Sequence, residues 1–104
     1  MDDGKCSASQ VEDLLRALLA MGNVETAKKF MEDLCAPAEL DAMVERWRVC
    51  RILWSGKPYR EISAETGASS ATIARVARCL RSKSGGGYRE VLENLRKNEC
   101  DETS

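Results

Sequence analysis

The chain predicts an all-α fold of six helices, and three observations carry this. Apolar residues recur at three- and four-residue spacing through most of its 104 residues. No segment alternates apolar with polar residues as a half-buried strand does. Gly, Pro and cap-forming residues fall between the apolar stripes and so punctuate helices. An apolar fraction of 43% supports a modest core. The length suits one compact domain over residues 7–97, with polar tails at 1–6 and 98–104.

The first helix is expected over residues 7–21, where Val11, Leu14, Leu15, Leu18 and Leu19 make one stripe. Gly22 stops it, and Asn23 can cap a second helix reaching Leu34. That helix sets Val24, Ala27, Met31 and Leu34 on one side, with Phe30 beside them. Pro37 suits the first turn of a third helix, where Glu39 and Asp41 favour the positive helix end. Leu40, Met43, Val44, Trp47, Cys50 and Trp54 form its stripe, which Val49, Ile52 and Leu53 widen. Gly56 and Pro58 mark its stop. Ser84, Gly85, Gly86 and Gly87 form a joint before a last helix at residues 88–97, carried by Tyr88, Val91, Leu92 and Leu95.

Residues 59–81 read as a helix-turn-helix. A short helix runs from Tyr59 to Thr66, and Gly67 permits the positive φ of a tight turn. Ser69 or Ser70 can cap a second helix toward Leu80. Ile62, Ile73, Val76 and Leu80 hold the pair together, and small Ser63 allows close approach. At about 100° per residue, Ile73, Val76, Ala77 and Leu80 share one face. Ala71, Arg75, Arg78 and Ser82 share the opposite one. That second face has small residues, hydroxyls and guanidiniums but no acid. It suits the DNA major groove, where Arg reads guanine.

The net charge of −1 hides an asymmetry. Residues 1–45 hold four basic and ten acidic side chains, and residues 46–104 hold twelve and seven. Arg75, Arg78, Arg81 and Lys83 form an acid-free cluster, which predicts a confined basic surface. The bland reading is a solvated charged face. Five cysteines at 6, 35, 50, 79 and 100 form no CxxC pair, and there is no His. No metal site and no cofactor are expected. Cys50 and Cys79 fall in apolar patterns and are expected in the core. Cys6 and Cys100 are expected to be exposed. No apolar run spans a bilayer and no signal segment opens the chain, so a cytoplasmic location with reduced thiols is expected.

The strings Phe30-Met31-Glu32-Asp33-Leu34-Cys35, Glu65-Thr66-Gly67-Ala68-Ser69-Ser70-Ala71-Thr72-Ile73-Ala74-Arg75-Val76 and Arg78-Cys79-Leu80 resemble the tryptophan repressor superfamily. The likeness is closest to its YerC/YecD-type branch and extends over nearly the whole chain. It implies an intertwined all-helical homodimer that binds operator DNA. It also implies an effector pocket at Arg46, Thr72, Arg75, Val76 and Cys79, in which two arginines sandwich an indole. Three positions depart from that pocket. Val76 stands for a glycine, Cys79 for a serine and Ala36 for a threonine. The valine adds an isopropyl group where the ligand ring would lie, so tryptophan is not the expected effector. Val76 also has a structural reading as an apolar contact between the paired helices. Arg46 has one as an ordinary solvated or ion-paired residue.

The function expected first is a sequence-specific DNA-binding transcriptional regulator. Lys57, Arg60 and Arg81 are placed for phosphate. Ser69 and Ser70 suit a phosphate or base edge, Ala71 and Ala74 a thymine methyl, and Arg75 and Arg78 guanine. The stripes of the first two helices are expected to pair with a second copy. A two-fold dimer presents two recognition helices about 34–36 Å apart to an approximately palindromic operator. The alternative is a helical protein-interaction module without DNA. An enzyme is disfavoured, because no nucleophile–base pair and no phosphate-cradling glycine loop is present, and no catalytic residue is assigned.

Overall fold

The computed structural model describes residues 6–82 and 86–103, and these form six helices without a strand. They are α1 (Ala8–Leu19), α2 (Val24–Leu34), α3 (Pro37–Trp54), α4 (Tyr59–Thr66), α5 (Ser70–Arg81) and α6 (Gly87–Thr103). Residues 1–5 of the expected N-terminal tail, Lys83 of the basic cluster and the Ser84 and Gly85 positions of the joint lie outside the described residues. The side chain of Cys100 does too. The chain divides into two compact units, Met1–Leu40 and Asp41–Ser104.

In the first unit, local chemistry sets each helix end. Ser7 Oγ accepts the Gln10 N–H at 3.2 Å, and Gln10 Oε1 accepts the Ser7 N–H at 2.9 Å. This reciprocal pair satisfies two orphan donors of α1. Gly22 takes a φ of 79° between α1 and α2. Asn23 Oδ1 then accepts the Thr26 N–H at 2.8 Å and opens α2. Before α3, Glu39 Oε1 accepts the Ala36 N–H at 2.7 Å. The apolar stripes form as expected, yet no residue of α1 or α2 is buried. Leu19 is 85% exposed and Val24 84%.

The second unit holds the core. Val49, Cys50, Ile62, Ala68, Ile73, Val76 and Leu92 are buried together, with Trp47, Ile52, Leu53, Leu80 and Tyr88 packed on them. A fully buried aliphatic side chain is worth about 1.5–3 kcal/mol, so this cluster dominates the unit's stability. The broad α3 stripe is thus only partly used, since Val44 and Trp54 stay exposed. Two polar ties fix helix ends. Arg48 Nη2 on α3 donates to the Glu65 carbonyl of α4 at 3.3 Å. The Arg89 guanidinium of α6 donates to the Leu80 carbonyl of α5.

Two positions differ from the sequence expectation. The last helix continues past Lys97 to Thr103, because residues 88–103 contain neither Gly nor Pro to stop it. Cys79, expected in the core, is exposed, while Cys50 is fully buried. On α5, Cys79 lies about 110° from the centre of the buried face defined by Ile73, Val76, Ala77 and Leu80. Among the described residues, no helix is long and apolar enough to cross a membrane.

Candidate nucleic-acid interface

The α4–α5 pair is a helix-turn-helix whose turn is built by specific bonds. Gly67 ends α4 at φ 74°, and its N–H reaches the Ser63 carbonyl at 2.9 Å. That left-handed conformation costs an L-residue with a Cβ about 1–2 kcal/mol. Thr66 Oγ1 donates to the Ile62 carbonyl at 2.8 Å and accepts the Ala68 N–H at 3.1 Å. Ser63 Oγ reaches the Ala68 carbonyl at 3.4 Å. Ala68, only 2% exposed, plugs the turn into the core. Of the two candidate caps, Ser69 performs the role: its Oγ accepts the Thr72 N–H at 3.1 Å. Ile62 from α4 and Ile73 and Val76 from α5 seal the inner side.

The outer side of α5 is open. Ser69, Ser70, Ala71, Ala74, Arg75, Arg78 and Arg81 are all exposed. The helix carries no acid in its first turn and has Arg78 and Arg81 in its last. A helix with this face outward presents guanidiniums and methyls together, the combination that reads guanine and the thymine methyl.

The flanking cations are held differently from one another. Lys57 Nζ pairs with Glu65 Oε2 at 3.0 Å. The hydrogen bond and charge of Glu65 raise the lysine's pKa and keep it protonated. Arg81 Nη1 donates to Tyr59 Oη at 3.3 Å, joining the end of α5 to the start of α4. Arg60 is exposed on the same first turn of α4.

The residues of the expected effector pocket are not equivalent in their surroundings. Val76 is 1% exposed and belongs to the core. The Thr72 hydroxyl sits 3.1 Å from Ser69 Oγ. Arg75 is exposed on the outer face of α5 and Cys79 on its flank, and Arg46 on α3 is half-buried. Arg46 and Arg75 both act on the Tyr88 phenol electrostatically. Burial raises its pKa most, the neighbouring thiols of Cys50 and Cys79 add to this, and the two arginines oppose it. Tyr88 stacks on Trp47 with ring centroids 6.4 Å apart and planes 28° off parallel. With Gly87 and Val91 these rings line an apolar hollow of about 450 Å³.

Sequence reasoning passed over Tyr59, Glu65, Trp47 and Tyr88 as site residues. An exposed aromatic at a helix start was the available signal for Tyr59. The Trp47–Tyr88 pair depends on how separate helices pack, and the Lys57–Glu65 pair on the path of the chain into α4, neither of which periodicity encodes.

Known proteins share this architecture. The Trp repressor protein family matches residues 9–96. The uncharacterized protein YerC of Bacillus subtilis (strain 168) is 33% identical over 104 residues, covering 100% of this chain and 99% of YerC. A TrpR-like protein from Eubacterium eligens ATCC 27750 superposes with a TM-score of 0.77 at 37% identity, over 86% of this chain and 91% of that one. A Staphylococcus aureus structure provisionally identified as a Trp repressor gives 0.78 at 32% identity, over 92% and 95%. With a family match over nearly all of its helices and relatives of the same length, the chain belongs to the Trp repressor family, as a YerC-type, Trp-repressor-like member.

Proposed function

We propose that the protein is a cytoplasmic, non-enzymatic transcriptional regulator, a repressor that binds an approximately palindromic DNA operator as a homodimer. One observation carries this reading above the others. The inner side of α5 is sealed by Ile73 and Val76, while its outer side bears Arg75 and Arg78 with no acid. In this reading Arg75 and Arg78 read guanine, and Ala71 and Ala74 meet thymine methyls. Lys57, Arg60 and Arg81 bind phosphate, and Ser69 and Ser70 meet the duplex at the helix start. The homodimer is supported by α1 and α2, whose amphipathic stripes have no buried residue. Large exposed apolar faces are interaction surfaces.

Those same faces favour the competing reading, a protein-interaction module that never engages DNA. A salt titration of duplex affinity separates the two. Three phosphate-binding cations per subunit give six contacts per dimer and a log–log slope of about −5. A flat, weak profile supports the interaction module.

The effector site is not built for tryptophan in this reading. Val76 fills core space with its isopropyl group and is 1% exposed, and Thr72 is engaged with Ser69. Adding L-tryptophan to the same titration leaves the affinity unchanged. A tryptophan-dependent gain would show that Arg46, Arg75 and Cys79 frame an indole site after all.

A further inference from the structure

Tyr59 lies on the first turn of α4, and Arg81 is the last residue of α5. Both are exposed, Tyr59 to 43%. Their side chains meet where Arg81 Nη1 donates to Tyr59 Oη at 3.3 Å. This bond constrains the phenol. Its oxygen accepts from the guanidinium, so its own proton is donated away from Arg81. Among the described residues no acceptor takes that proton. The guanidinium also keeps further N–H donors beyond the one used.

Two sets of donors, one neutral and one cationic, therefore stand side by side at an exposed position. An anionic oxygen seated against them accepts from the phenol and from Arg81 at once, and bonds to such charged acceptors are the strong ones. The pair marks the start of the first motif helix, the element that crosses the duplex backbone in this class of motif. Arg60 on the same turn adds positive charge. We infer that Tyr59 and Arg81 jointly grip a single phosphate of the DNA backbone. The inference rests on the DNA-binding reading and adds Tyr59 to it as a direct contact.

The test uses the full chain with Tyr59→Phe, Arg81→Ala and the double variant. Each is titrated onto an unmodified duplex and onto duplexes carrying one neutral methylphosphonate at successive backbone positions. Tyr59→Phe keeps the ring and leaves the thermal unfolding midpoint unchanged. It lowers affinity about threefold to tenfold without altering the salt slope, because the phenol is neutral. Arg81→Ala flattens the slope by about one contact per subunit. At one methylphosphonate position per half-site, wild type and both single variants bind alike. The inference is overturned if Tyr59→Phe binds the unmodified duplex as wild type does. It is also overturned if the tyrosine deficit persists at every position, or if the two residues map to different phosphates. Should wild type bind DNA through Arg75 and Arg78 while Tyr59→Phe is silent, this inference falls and the function stands. If wild type binds no duplex, both fall.

Discussion

Cys50 and Cys79 are the same side chain in opposite settings. Cys50 lies in the core at 0% exposure, and burial pushes its thiol pKa up to about 11, with Arg51 opposing. Cys79 is exposed on the flank of α5. The thiolate is the nucleophile, so iodoacetamide at pH 8 should label Cys79 quickly and spare Cys50 in the folded protein, as peptide mass spectrometry reads directly. Equal labelling would mean that the core opens readily. The raised pKa also carries a stability consequence. The folded state favours the protonated thiol, so this contribution is complete below the ordinary pKa of 9.0 and is lost as pH rises toward 11. Urea midpoints should fall across that window in wild type and less in Cys50→Ala, once the cavity cost is subtracted. Cys50 was legible as core from its place in the α3 stripe. Cys79 was not, because an apolar residue three positions from Val76 and one from Leu80 looks buried until its angular distance from the stripe's centre is weighed.

At the scale of elements, the helix-turn-helix is the best-specified part of the chain. Its punctuation is local, so it was readable before any packing was known: Gly67 at the turn, Ser69 at the cap, and Ile62 facing Ile73 and Val76. Gly67→Ala should destabilise the protein by about 1–2 kcal/mol, because φ 74° is costly for any residue with a Cβ. Open space surrounds that position, so the loss should come from backbone strain alone and Gly67→Asn should recover part of it. Chemical denaturation measures both, and an unchanged midpoint for the alanine variant would contradict this account of the turn. Gly86 has a second constraint, since a Cβ there would lie 3.2 Å from the Cys79 carbonyl at φ 49°. What the sequence did not convey is cross-helix chemistry. The Tyr59–Arg81 bond joins residues whose proximity follows from the angle between α4 and α5, and the Lys57–Glu65 pair follows from the path of the chain into α4. The end of α6 was missed for a different reason. The polar composition after Lys97 reads as a tail, yet no Gly or Pro interrupts the helix there.

For the whole molecule, the division of labour follows the charge asymmetry. The acidic N-terminal part offers the exposed stripes of α1 and α2, and the C-terminal part offers the basic face of α5. Sedimentation equilibrium at tens of micromolar should show a dimer, and replacing Leu15 and Leu19 with Glu should shift it toward monomer without unfolding α4 and α5. A stable wild-type monomer would remove the reason for a two-fold operator. On the proposed reading, α5 recognises DNA sequence and two copies act together. A binding selection on random duplexes, run with wild type and with Arg75→Ala plus Arg78→Ala, tests it most directly. Wild type should enrich an approximate palindrome with half-sites one helical turn apart. Each arginine that makes a bidentate guanine contact should, when removed, lose about 1–3 kcal/mol and relax preference at its base pair. A wild-type pool with no enriched site, or enrichment unchanged in the double variant, would contradict it.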